Sequence, residues 1–247
     1  MKVLKKLYEK SEIWFAVAWI IAYCLLMSLG DSISAQIDID KSVTLVIGIL
    51  LSAILLHFLK KNGLWTQYGF SAPKATAKSM LFYAPIIIML SANLWYGVTL
   101  HYGALETVLY ILAMLCVGFL EEVIFRGLLF EAIKKESVTS AILVSSITFG
   151  IGHIINLING SGAQLLPNLL QVVYATAAGF MFVMMYYRSK SIIICIAAHG
   201  IFNAISVFAN EAAATDETRI LSAIFLTVVT GSYALYLALA FKGKANE

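Results

Sequence analysis

Apolar positions along this chain fall in long blocks rather than in alternation. Eight stretches, at about 12–30, 42–59, 79–99, 107–132, 137–158, 166–187, 191–209 and 219–241, are each long enough to cross a bilayer as helix, which takes ~20 residues. Polar residues gather between the blocks. The pattern predicts an all-α, polytopic membrane protein of about eight transmembrane helices, folded as a single domain over residues 1–247. Composition agrees: the chain is 61% hydrophobic and 13% charged, where soluble domains run near 25% charged.

Charge then sets an orientation. With the N-terminus in the cytoplasm, the inner side receives Lys2, Lys5, Lys6, Lys10, Lys60, Lys61, Lys74, Lys78, Lys134, Lys135, Arg188, Lys190, Lys242 and Lys244. The outer side receives Lys41 and Arg219, with Asp31, Asp38, Asp40, Glu106, Glu211, Asp216 and Glu217. This is the positive-inside bias of a membrane protein, and it predicts both termini in the cytoplasm. The first apolar run is longer than the ~7–15 residues of a signal-peptide core, so it reads as a retained span. The net charge of +3 does not call for nucleic acid. Cys24, Cys116 and Cys195 lie inside apolar runs and form no disulfide framework. Trp65, Tyr68 and Phe70, beside lysines in the 60–78 connection, suit either an interfacial segment or an ordinary loop. Asn159-Gly160-Ser161 matches a glycosylation sequon.

Against this apolar background the polar residues inside the spans stand out. Gly118-Phe-Leu-Glu121-Glu122-Val-Ile-Phe-Arg126-Gly127 puts two carboxylates and a guanidinium in one span. Each costs about 3 kcal/mol at membrane depth, so a chain that keeps them uses them. Glu122 and Arg126 are i and i+4 and share a helix face, whereas Glu121 is turned about 100° away. Arg126 is expected to neutralise Glu122 and leave Glu121 available. The fifth stretch carries Phe149, His153 and Asn156, and the seventh carries His199 and Asn203.

Depths follow from the helical rise. Counted from the nearest cytoplasmic lysine at ~1.5 Å per residue, Glu121 lies about 20 Å in, His153 about 27 Å, His199 about 14 Å and Asn203 about 20 Å. Three spans thus bring polar groups to overlapping depths, within the slack that tilt allows. Such a set can hydrolyse a bond. A carboxylate and an imidazole can hold a water and take its proton, while a second imidazole and an amide can donate to the oxyanion that forms. Gly118, Gly127, Gly150, Gly152, Gly179 and Gly200 would let the helices approach closely. Zinc stays a candidate, with Glu121, His153 and His199 as a carboxylate-plus-two-imidazole set. The metal-free water mechanism is preferred, because no HExxH helix is present and nothing fixes ligand spacing across three spans.

Glu-Glu-x-x-x-Arg at Glu121–Arg126, Phe-x-x-x-His at Phe149–His153 and His-x-x-x-Asn at His199–Asn203 resemble, in that order, the motif set of the CPBP intramembrane proteases. These comprise the type II CAAX prenyl endopeptidases and their bacterial relatives, often called Abi proteins. The likeness covers about residues 105–210, which marks the expected catalytic core; the first three spans are generic. The resemblance implies that Glu121 and His153 activate the water and that His199 and Asn203 stabilise the oxyanion. It further implies that Glu122 and Arg126 support the site, and that the core has eight helices. Phe149 is expected to pack beside the site. Asn156 either supports it or joins two helices. Asn93, Trp95 and His57 have no evident role.

The leading expectation is an intramembrane endopeptidase acting on a membrane-tethered peptide or protein. The short loops and compact length point to a bacterial cell membrane. A non-catalytic membrane immunity or binding protein on the same scaffold is the alternative. A transporter or proton relay is a third reading, though such proteins usually carry inverted repeats, and none is visible here.

Overall fold

The computed structural model describes residues 1–157 and 164–240. The sequon at 159–161, Lys242 and Lys244 lie outside the described residues. The described chain is helical, and one isolated antiparallel bridge joins Val98 to Ala209. In order, the helices are α1 (Lys2–Lys10), α2 (Glu12–Gln36), α3 (Ser42–Lys61), α4 (Ala84–Ser91) and α5 (Ala104–Glu122). They continue with α6 (Phe130–Lys134), α7 (Val138–Gly152), α8 (Leu165–Ser189), α9 (Ile193–Ile205) and α10 (Asp216–Ala240).

Six helical segments are long and apolar enough to span a membrane: 12–36, 42–61, 104–134, 138–157, 165–189 and 216–240. They match six of the eight expected stretches. The other two are shorter, Lys78–Leu94 and Ile193–Phe208. The third expected stretch differs most. Leu81, Phe82 and Tyr83 all take positive φ, which turns the chain before α4 can start. Pro85 sits in the first turn of α4, where its missing N–H costs nothing and its fixed φ favours a helix start.

α8 lies between α7 and α10, α5 runs along α9, and α3 packs on α2 and α5. The buried face of α2 carries Phe15, Ala16, Trp19, Tyr23, Met27, Gly30 and Ser34. Their spacing of three and four draws one stripe along the helix, which meets α3 and the 123–129 segment. Bundles in lipid lack a hydrophobic drive between helices and depend on close packing instead. Two glycines show this. A Cβ on Gly118 of α5 would stand 2.6 Å from the backbone of Gly200 on α9, and one on Gly150 of α7 would stand 1.9 Å from Thr176 Oγ1 on α8.

The connection after α3 is an ordered plug, a firmer structure than either expected form. Lys74 N–H donates to Ser189 O, Ile192 N–H donates to Gly69 O, and Ser191 Oγ donates to Ser71 O. The connection is thereby fixed to the turn between α8 and α9. Tyr68 is fully buried and its hydroxyl meets that of Tyr8 on α1 at 3.0 Å. Burial and this bond push the Tyr68 phenol pKa well up. Arg188 of α8 joins α10 by donating to Leu237 O and Ala238 O, both at 3.0 Å. Cys24, Cys116 and Cys195 are free thiols, as expected.

Candidate active site

The segment that carries the carboxylates is not a plain α-helix. α5 ends at Glu122, and Val123–Leu129 is a π-helix before the chain resumes as α6. Short π segments are rare inside α-helices and often occur at functional sites. Every residue from Leu120 to Ala132 is buried. Ser145 of α7 donates its hydroxyl to Phe125 O at 2.8 Å and ties the wide turn to the next helix.

Glu122 and Arg126 are both fully buried. The expected pair forms, with Arg126 Nη1 3.0 Å from Glu122 Oε1. The guanidinium does more than neutralise. It donates to Gly179 O at 3.4 Å and lies 4.1 Å from the Phe149 ring centre and 5.4 Å from that of Phe182. Stacking on aromatic faces suits a weakly hydrated, planar cation removed from water. Phe149 therefore holds the charge as well as filling space.

Glu122 has a second partner. His199 Nδ1 lies 2.7 Å from the same Oε1. A carboxylate held by a guanidinium accepts hydrogen bonds and has none to give, so Nδ1 carries the proton. The ring stacks on Phe182 at 5.3 Å and meets Phe149 edge-on at 5.5 Å. Its other nitrogen, Nε2, is 3.3 Å from Glu121 Oε2. The two carboxylates thus flank one imidazole from either side, and the close passage of Gly118 over Gly200 brings them there.

Glu121 uses its other oxygen differently. Tyr23 of α2 donates its hydroxyl to Oε1 at 2.6 Å. Oε2 is buried and has no hydrogen-bond partner. Glu121, Tyr23, His153, Asn156 and Asn203 line one cavity of about 430 Å³, which reaches Asp31 and Lys41 at the far end of α2. A smaller cavity of about 50 Å³ adjoins it, lined by His153, His199 and Asn203. The motif residues from three helices therefore face a shared space.

His153 begins a 3-10 turn, His153–Leu157, in place of a last turn of α7. Asn168 of α8 holds that turn by donating to His153 O at 2.8 Å, and Phe149 meets the His153 ring edge-on at 5.3 Å. Asn156 donates its amide to Gln171 Oε1 at 3.3 Å and so joins the turn to α8. Asn93, for which the sequence suggests no role, donates to Phe202 O at 2.6 Å and lines the cavity. Trp95 donates to Ser91 on its own helical segment, and His57 is exposed.

Three contributors do not stand out in the sequence: Tyr23, Phe182 and Asn168. Tyr23 does carry a signal. It lies 13 residues after Lys10, about 20 Å deep by helical rise, the depth obtained for Glu121. Phe182 and Asn168 carry no comparable signal, because an aromatic or an amide in α8 is unremarkable until α8 is docked.

As for a metal, the described residues contain no group of three or more His, Cys, Asp or Glu side chains arranged to hold one. Of the candidate set, Glu121 Oε2 and His199 Nε2 are adjacent at 3.3 Å.

Residues 103–205 match the family model of the type II CAAX prenyl endopeptidase, Rce1-like proteins. No curated protein and no solved structure matches the chain. The matched stretch contains all three motifs, and the resemblance drawn from them is borne out there. With its apolar helices, the match supports an integral, multi-pass membrane protein, and at the family level a protease-type enzyme.

Proposed function

We propose that this protein is an intramembrane endopeptidase that hydrolyses a peptide bond of a membrane-associated peptide or protein. The observation that carries the reading is the clustering of Glu121, Glu122, Arg126 and His199 within bonding distance, beside a cavity that His153 and Asn203 also line. Glu121 is the base. Its free Oε2, with His153 across the cavity, holds a water and takes its proton as the oxygen attacks the carbonyl carbon. The carbonyl π pair moves onto oxygen, and His199, held by Glu122, and the Asn203 amide stabilise that oxyanion. Collapse expels the amine, which leaves with the proton that Glu121 took.

Glu122 has a defined part in this scheme. Its carboxylate accepts from His199 Nδ1 and so orients the ring with Nε2 toward Glu121. Arg126 and the two phenylalanines hold Glu122 in turn. No metal step is needed.

We further propose that the two shorter helical segments, 78–94 and 193–208, complete a core of eight crossings. Both termini would lie in the cytoplasm, following the lysine distribution. The cavity lies among α2, α5, α7 and α9, away from any large loop, which fits a substrate already in the membrane.

The test compares the wild type with Glu121→Gln, both purified in detergent and matched in thermal stability. Each receives a panel of membrane-tethered peptides, with and without a chelator, and fragments are read by mass spectrometry. Wild-type cleavage that Glu121→Gln lacks supports the reading. Cleavage by Glu121→Gln at the wild-type rate overturns it, and loss of wild-type cleavage on chelation overturns the metal-free mechanism.

A further inference from the structure

We infer that Tyr23 is a positioning residue of the active site, so that α2, outside the segment matched to the family, completes the catalytic apparatus. The inference rests on Glu121 acting as the base.

Four observations carry it. The Tyr23 hydroxyl donates to Glu121 Oε1 at 2.6 Å across 98 residues of sequence. That is the length of a charge-assisted O–H···O⁻ bond, about twice as strong as a neutral one. The acceptor is one oxygen of the carboxylate whose other oxygen, Oε2, lies 3.3 Å from His199 Nε2 and has no hydrogen-bond partner. The Tyr23 side chain is largely buried and itself borders the cavity that Glu121 and His153 share. Finally, α2 packs directly on the π segment that follows Glu122, so the phenol and the carboxylate are held by one helix crossing.

The division of the two oxygens gives the role. A glutamate side chain rotates freely about its last bond, and a base must present one oxygen within hydrogen-bond reach of the water. Tyr23 occupies Oε1 and so fixes which oxygen is free and where it points. It touches no substrate atom in this role. An error of about 1 Å in a reacting group can cost a hundredfold in rate, so loss of the phenol should slow the chemical step and leave substrate binding nearly unchanged.

Tyr23→Phe removes the hydroxyl and keeps the ring. The expected result is a fall of about 10- to 100-fold in kcat, with KM within about twofold. A structural phenol would instead move stability and both constants together. A second readout does not depend on turnover. The Glu121 carboxylate stretch, assigned in the infrared from the difference between wild type and Glu121→Gln, should be displaced in Tyr23→Phe. A third readout is the thermal-stability cycle of Tyr23→Phe, Glu121→Gln and the double variant, which should show coupling between the two sites. A folded Tyr23→Phe with unchanged kcat, an undisplaced band or zero coupling overturns the inference and leaves the protease reading standing. Full cleavage by Glu121→Gln overturns both, since no base then remains to be positioned.

Discussion

Gly118 and Gly200 meet backbone to backbone: a Cβ on Gly118 would fall 2.6 Å from both the Cα and the N of Gly200. His199 precedes Gly200, and Glu121 and Glu122 lie one turn beyond Gly118. The crossing of α5 and α9 is therefore the joint that sets the imidazole between the two carboxylates.

Gly118→Ala tests that joint. The neighbouring atoms are backbone and cannot swing away, so the helices must separate. Overpacking of this kind costs about 1–3 kcal/mol, read as a lower midpoint in a thermal scan. Activity should fall further than stability, because His199 moves off Glu122. A Gly118→Ala protein with wild-type activity would show that the crossing is not what aligns the site.

Glu122 can be separated from its ion pair. Glu122→Gln leaves Arg126 charged, buried and without its carboxylate, and breaking a buried pair in this way costs about 3–5 kcal/mol. The double variant Glu122→Gln/Arg126→Met removes the stranded charge and should recover much of that stability. Cleavage should not recover, because His199 Nδ1 still lacks its carboxylate. Recovery of both stability and cleavage would reduce Glu122 to an ion-pair partner.

Part of this site is legible in the amino-acid sequence. The Glu122–Arg126 pair follows from i, i+4 spacing, and the overlapping depths of Glu121, His153 and Asn203 follow from helical rise; each requires only one helix and a distance from a charge. The rest depends on how helices cross. Hydropathy reads apolarity and not backbone conformation, so the block at 79–99 looks continuous although Leu81, Phe82 and Tyr83 turn it back with positive φ. The same limit hides the π segment, because hydropathy along Val123–Leu129 holds no record of how the backbone hydrogen bonds are spaced. Tyr23 is marked by its depth alone until α2 meets the π segment, and Phe182 looks like any aromatic facing lipid until α8 brings it under His199. The plug at 62–77 is equally hidden, since its bonds run largely from backbone to backbone and leave little trace in side-chain pattern.

Asn168 tests the placement of His153. Its amide holds His153 O at 2.8 Å, and the residue is 2% exposed. Asn168→Ala should leave that carbonyl unpaired and cost about 1–3 kcal/mol. If the 3-10 turn is what presents His153 to the cavity, kcat should fall as well, by more than the unfolded fraction explains. A stability loss with full activity in the folded protein would make Asn168 a packing residue only.

Arg188 supplies the contrast, a charged residue that joins α8 to α10. It donates to Leu237 O and Ala238 O on α10. Arg188 lines none of the cavities around Glu121. Arg188→Gln should lower the thermal midpoint, by about 1.5–3 kcal/mol if both charged bonds are lost. It should leave kcat per folded molecule at the wild-type value. The decisive comparison sets Arg188→Gln beside Asn168→Ala at equal stability loss. Equal kcat in the two would mean that Asn168 also acts through stability alone, and a lower kcat in Asn168→Ala would place its effect on His153.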